Sequence, residues 1–214
     1  MSDEIEIKKD QALPVLVKKE VVPKKKVVKK KPIVNNTIVI TRKVKKNIDL
    51  YLKKIKSIVN HIQGVQDNCL LLGEKLIEAG EIELGKQLIA NGFIHDNSKF
   101  YGIEFEYMAV NPTTEQDKKL KLKMAVHHHT STNKHHPEAW SAGITDMPDI
   151  FLAEMACDIK SRSEEFGTNL REWIDVVATK KWSFTKDSPT YSKLMKYVNL
   201  LCNVPFEDLS KMKV

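Results

Sequence analysis

Five of the chain's seven histidines fall within ten residues, in AVHHHTSTNKHHPEAW, Ala125 to Trp140. The other two are His61, in VNHIQGV, and His95, in FIHDNSK, where Asp96 follows at once. Neutral imidazole coordinates metals and titrates near neutrality. Adjacent nitrogen and carboxylate ligands suit a borderline divalent ion. Asp158 adds a carboxylate in EMACDIK, between apolar Met155 and Ile159. A charge placed there is costly to bury without a partner or a metal. The chemistry these residue types suggest is metal binding. Histidines alone are weaker ground, because HHH also fits a polar helix surface or a structural zinc site.

The elements that must position these groups read as helices. From about Lys45, Ile48, Leu52, Ile55, Val59, Ile62, Cys69, Leu72 and Leu76 recur at steps of mostly three and four, which predicts one buried stripe. His61 falls on its buried side, beside Ile62 and one turn from Val65. Gly80 reads as a C-terminal stop. A second helix is expected from about Glu81 to Asn91, with Ile82, Leu84, Leu88 and Ile89 inward. Asn111-Pro112 marks a loop, Thr113 or Thr114 an N-cap, and a helix runs on to about His128. Further helices are expected near Asp149–Phe166, Leu170–Trp182 and Pro189–Cys202. No stretch shows strand alternation, so the expected fold class is an all-α bundle.

Charge divides the chain. Residues 1–46 hold 14 Lys+Arg against 5 Asp+Glu, a charge of +9, whereas residues 47–214 hold 21 against 23, or −2. The Lys/Val/Pro-rich start cannot bury enough surface to offset its ordering entropy. Residues 1–44 are therefore expected to be a disordered basic tail, and 45–210 the folded domain. Such a tail is a solvated tether or a handle for nonspecific contact with nucleic acid. Cys69, Cys157 and Cys202, without a CxxC pair, suggest reduced, buried thiols. No apolar run reaches the ~20 residues of a membrane span, and MSDEIEIKKD lacks a secretory h-region. A cytoplasmic protein is expected, or a nuclear one in a eukaryotic host.

His61, then His95-Asp96, then Asp158 on an all-α scaffold resembles the H…HD…D signature of the HD-domain superfamily of metal-dependent phosphohydrolases. LIANGFIHDNSKF also looks like the HD-x-x-K variant, with Lys99 in the lysine position. HHTSTNKHHPEAW, with GITDMPDIFLAEMACD behind it, is similar to a small bacterial and phage HD-like family. The resemblance covers about Asn60 to Arg171. It implies that His61, His95, Asp96 and Asp158 bind a first metal. It also implies that His128, His129, His135 and His136 are available for a second ion, with Asp96 bridging. His127 has no counterpart and is the expected bystander. One or two divalent ions of Mn, Fe, Co or Zn would be the cofactor. With one metal only, the cluster would serve as acid–base or supporting groups.

The activity so implied is hydrolysis of a small phosphorylated substrate, a nucleotide being the commonest in the superfamily. Lys99 and Arg162 would hold phosphate oxygens. Arg162 is one turn beyond Asp158 and shares its helix face. Glu154, one turn before Asp158, would orient a ligand or a water. Asn133 and Lys134 would line the pocket, and Trp140 the core or pocket wall. Two other classes compete. Extra histidines and the HD-x-x-K variant also occur in HD-like di-iron oxygenases. A metal-stabilised binding module delivered by its basic tail is the third, although the folded part shows no basic stripe.

Overall fold

The computed structural model describes residues 34–110 and 116–202. Among them the only regular elements are helices, so the fold is all-α as expected. Helix α1 is Val34–Glu78 and α2 Ile82–Ile94. A 3-10 turn over Asn97–Phe100 leads to α3, Gly102–Glu104, which continues as a π-helical stretch over Phe105–Val110. Helix α4 is Gln116–Thr132 and α5 Asp149–Phe166. Helix α6, Leu170–Trp173, passes through a π-helical turn, Ile174–Ala178, into α7, Thr179–Lys181. Helix α8 is Pro189–Leu201.

Among the described residues, those from Thr41 onward form one compact unit. The expected tail over 1–33 lies outside the described residues, as does the N-cap at Thr113 or Thr114. Residues 34–44, read from the sequence as tail, are helical. No Pro or Gly stands between Pro32 and Gly64 to stop α1, so the helix runs eleven residues further back than the apolar stripe suggested.

The core is centred on α5. Leu152, Ala153, Met155, Ala156 and Cys157 are buried there, with α8 supplying Leu194, Val198 and Leu201. Only the second half of the α1 stripe reaches this core. Val65, Cys69, Leu72 and Leu76 are fully buried, whereas Ile48, Leu52 and Val59 are 47–49 % exposed. Helical spacing finds an apolar face, but cannot tell where along a long helix its partners end. Ile82 is likewise exposed, whereas Leu88 is buried as expected, with Gly85 and Gly92 beside it, and Leu84 packs partly buried against the core.

Glycines set how closely the helices approach. A Cβ at Gly73 would lie 2.8 Å from the Gly85 carbonyl oxygen, and one at Gly85 would lie 2.4 Å from that of Gly73. Helices α1 and α2 thus cross backbone to backbone. This close crossing offsets the ~1 kcal/mol propensity cost of a mid-helix glycine. Gly64 plays the same part toward α5, where a Cβ would meet the Ser161 hydroxyl at 2.6 Å. Gly80, in the left-handed region at φ 88°, ends α1 as expected. Cys69 and Cys157 are buried as expected, but Cys202 is exposed.

Candidate metal centre

Helix α2 ends at the His-Asp pair. His95 leaves helical geometry at ψ 131°, and Asp96 enters the left-handed region at φ 54°. Aspartate is among the few side chains that tolerate that conformation. Both side chains are buried. His61 joins them from α1 and Asp158 from α5. His129 comes from the last turn of α4, and His135 and His136 follow in the loop after it.

Helix α4 extends to Thr132, four residues further than expected, so His127–His129 are helical and only the second pair is in a loop. This divides the five clustered histidines. His129 and His135 are buried and His136 is partly buried. His127 is exposed, as expected of a bystander. His128 was expected as a ligand, but its side chain is 51 % exposed and its Nδ1 is 2.8 Å from Glu104. Consecutive helical residues point about 100° apart, so the three cannot converge on one point.

The buried groups form two sets that meet at one carboxylate. His61 Nε2 is 3.9 Å, and His95 Nε2 3.5 Å, from Asp96 Oδ2. His61 Nε2 also lies 3.0 Å from Asp158 Oδ1. On the other side, His129 Nε2 and His135 Nε2 are 3.3 and 3.4 Å from Asp96 Oδ1. His136 Nε2 faces His129 Nε2 at 3.0 Å. His61, His95 and Asp158 therefore form one ligand set, and Asp96, His129, His135 and His136 another.

Five atoms at this junction are buried without a hydrogen-bond partner: His61 Nε2, His95 Nε2, Asp96 Oδ1, His135 Nε2 and Asp158 Oδ1. The His61–Asp158 approach is close, but it is not aligned as a hydrogen bond. Unsatisfied buried polar atoms are rare and costly. Five converging on one point are what a cation would satisfy. The residues therefore fit a divalent metal, and they can hold one.

The opposite ring nitrogens of His61, His95, His129 and His135 are engaged. His61 Nδ1 donates to Glu165 Oε1 at 3.0 Å, and His129 Nδ1 to Glu104 Oε2 at 2.8 Å. Glu154 Oε1 accepts from His95 Nδ1 at 2.9 Å and lies 3.2 Å from His135 Nδ1. A carboxylate at Nδ1 keeps the proton there and leaves the Nε2 lone pair free for a metal. This also accounts for the close grouping of His95, His135 and Glu154, which is a positioning clamp. Asn91 Nδ2 donates to the second Glu154 oxygen at 3.1 Å and steadies that clamp.

The histidines and Lys99 keep the carboxylates of the centre ionised. Burial opposes ionisation of Asp96, yet His135, His95, Lys99 and His129 hold its carboxyl well below the usual range. Burial likewise opposes ionisation of Glu154, but its histidine partners bring it down to about 2. Burial would lower His135, but Asp96 and Glu154 raise it to about 10. His136 is pushed down to about 3 by burial and by the charge of His135, which leaves it a neutral imidazole.

Other expected residues fall in different places. Lys99 is buried and ion-paired with Asp96, so it supports the centre from within. Asn133 bonds Ser98 and the His129 carbonyl, and Lys134 lies over the Trp140 ring at 4.9 Å. Neither lines a cavity at the centre. Arg162 does line one, and its Nη1 is 2.8 Å from Glu165 Oε2. Trp140 is partly buried against the core.

Two positioning residues escaped the sequence reading. Glu165 was legible, because Glu154, Asp158, Ser161 and Glu165 are spaced four, three and four along one face of α5. Glu104 gave no such signal. It is buried on a short helix that no periodicity announces. Glu165→Ala is expected to weaken metal retention about 10- to 100-fold, with partial rescue by Glu165→Gln. Competition against a fluorescent chelator measures it, and unchanged affinity refutes the positioning role.

Fold and centre together define an all-α protein with a buried histidine–carboxylate cluster able to hold a metal ion. The chain belongs to a family of unknown function, DUF5662, whose model matches residues 51–202. That range takes in every residue of the centre, from His61 to Glu165. No curated protein and no solved structure matches the chain. Among the described residues, no helix is long and apolar enough to cross a membrane.

Proposed function

We propose that the protein is a metal-dependent phosphohydrolase that acts on a small phosphorylated substrate through a dinuclear centre. One observation carries this reading. Asp96 belongs to one ligand set and turns its other oxygen toward His61 and His95 of the second, and residues of both sets, His136 and Asp158, line a cavity of about 370 Å³. The ligand types suit divalent Mn, Fe, Co or Zn. A bound ion of this kind supplies Lewis acidity to a phosphoryl oxygen and to water.

The chain's own residues do the rest. Glu154, Glu165 and Glu104 keep protons on the Nδ1 atoms of His95, His61 and His129, which fixes each ring's orientation. Lys99 fixes the Asp96 carboxylate. Arg162, in the cavity, is placed to neutralise a phosphate monoester. Residues 47–214 carry a net charge of −2, so small substrates suit them better than a polyanion.

Metal analysis of protein purified without a His tag is expected to find close to two equivalents. Phosphate release from small phosphomonoesters should then need Mn²⁺, Co²⁺ or Fe²⁺ and proceed without oxygen. The histidine-rich second set favours one other reading, a di-iron oxygenase. Turnover only with oxygen and iron would select it and overturn the phosphohydrolase.

A further inference from the structure

The cavity at the metal centre has a second chemical character. Besides His136 and Asp158 it is lined by Arg162, Lys181 and three aromatic rings, those of Phe166, Trp173 and Trp182. Two indoles from the α6–α7 segment and its end thus share one space with Asp158 of α5 and with His136.

The rings are held in place. Trp173 and Trp182 meet edge to face, with centroids 5.9 Å apart at 66°. The Trp182 indole N–H donates to Glu138 Oε1 at 3.3 Å. Lys181 Nζ sits 4.6 Å from the Trp182 ring centroid and 3.8 Å from the same carboxylate oxygen. Phe166 is 73 % exposed. One exposed phenylalanine is ordinary. Here it shares a cavity with two partly exposed indoles and a buried charged centre, and that combination calls for an amphiphilic ligand.

Both cavity cations are paired with carboxylates at the surface, Arg162 with Glu165 and Lys181 with Glu138. Exposed pairs of this kind are weak, so either side chain is able to turn to an incoming anion. The volume of about 370 Å³ lies at the low end of the range for ligand pockets, about 300–1,000 Å³. It suits one ring and one phosphoryl group, and is small for a triphosphate or a dinucleotide.

We infer that this cavity binds a phosphate monoester carrying a planar ring, with the ring against Phe166, Trp173 and Trp182 and the phosphoryl group toward Arg162, His136 and Asp158. The phosphoryl end rests on the phosphohydrolase reading. The ring end does not. In the reaction the ester P–O bond breaks, water's oxygen bonds phosphorus, and a proton from that water goes to the leaving oxygen. A nucleoside monophosphate and an aryl phosphate share this chemistry.

Calorimetry and tryptophan fluorescence on the full chain, with and without Mn²⁺, test the ring site independently of turnover. Phenylphosphonate is expected to bind at least tenfold tighter than methylphosphonate and to quench emission. That preference should fall about tenfold in Trp182→Ala and persist in Trp182→Phe. Phe166→Ala, at an exposed position, gives the same direction of change should Trp182→Ala fail to fold. Equal affinity of the wild type for the two phosphonates overturns the ring site.

Turnover separates the two readings. Tight phenylphosphonate binding with no phosphate release from any monoester sinks the phosphohydrolase and leaves the ring site standing. Where phosphate is released, preference for adenosine monophosphate or for phenyl phosphate over glycerol phosphate supports the ring site, and the better of the two marks the source. Equal kcat/KM for all three overturns it.

Discussion

Asp96→Asn is expected to remove most bound metal and to lower turnover by at least a thousandfold. Among the candidate ligands, Asp96 faces both sets. One Asp96 oxygen lies near His61 and His95, and the other near His129 and His135. An amide presents one acceptor and two N–H donors, so one of the two sets meets a donor where it needs a lone pair. The change also strips buried Lys99 of its counter-charge. Breaking a buried pair by removing one partner costs about 3–5 kcal/mol, so the melting temperature should drop as well. Asp96→Asn with Lys99→Met separates the two effects. The double variant should regain much of the stability while metal content, read by mass spectrometry, stays low. Full metal retention in either variant would remove Asp96 from the centre.

Much of this centre was legible because metal chemistry uses few residue types. His61, His95, Asp96 and Asp158 stand out by chemistry and order, and the structure gathers all four. The supporting carboxylates were harder to see, because glutamate is common on helix surfaces and its role depends on which face turns inward. Glu165 belongs to a polar stripe on α5 that Asp158 already marked. Glu104 depends on a short helix after Tyr101 that carries no repeating pattern. His128 shows the opposite error. Composition alone made it equal to His129, and only a helix that continues through both turns one inward and the other out.

The same limit applies to the fold. The ends of α5 follow from local signals. Asp149 comes directly after Met147-Pro148, and Gly167 closes α5 in the left-handed region at φ 63°. Burial along α1 has no local signal. Ile48, Leu52 and Val59 have the spacing of core residues and remain exposed, because nothing among the described residues covers that part of the helix.

Replacing His135 and His136 together by alanine is expected to remove one metal equivalent and retain the other. Both belong to the set on the Asp96 Oδ1 side, and neither belongs to the set of His61, His95 and Asp158. His135 lies 3.4 Å from Asp96 Oδ1, and His136 reaches the same place through its contact with His129. Their loss leaves His129 and one carboxylate oxygen, too few for a tetrahedral ion. The other set keeps His61, His95 and Asp158, with Asp96 Oδ2 facing its two histidines, and Glu154 still holds His95. Metal at 100 times its Kd stabilises a fold by about 2.7 kcal/mol per site. The double variant should therefore keep one metal-dependent rise in melting temperature where the wild type shows two as metal is titrated. Phosphate release should fall at least a hundredfold, because the remaining ion no longer has a second ion to share the phosphoryl charge. Two equivalents retained in the variant would defeat the dinuclear centre, and loss of both would show that the two sets bind only together.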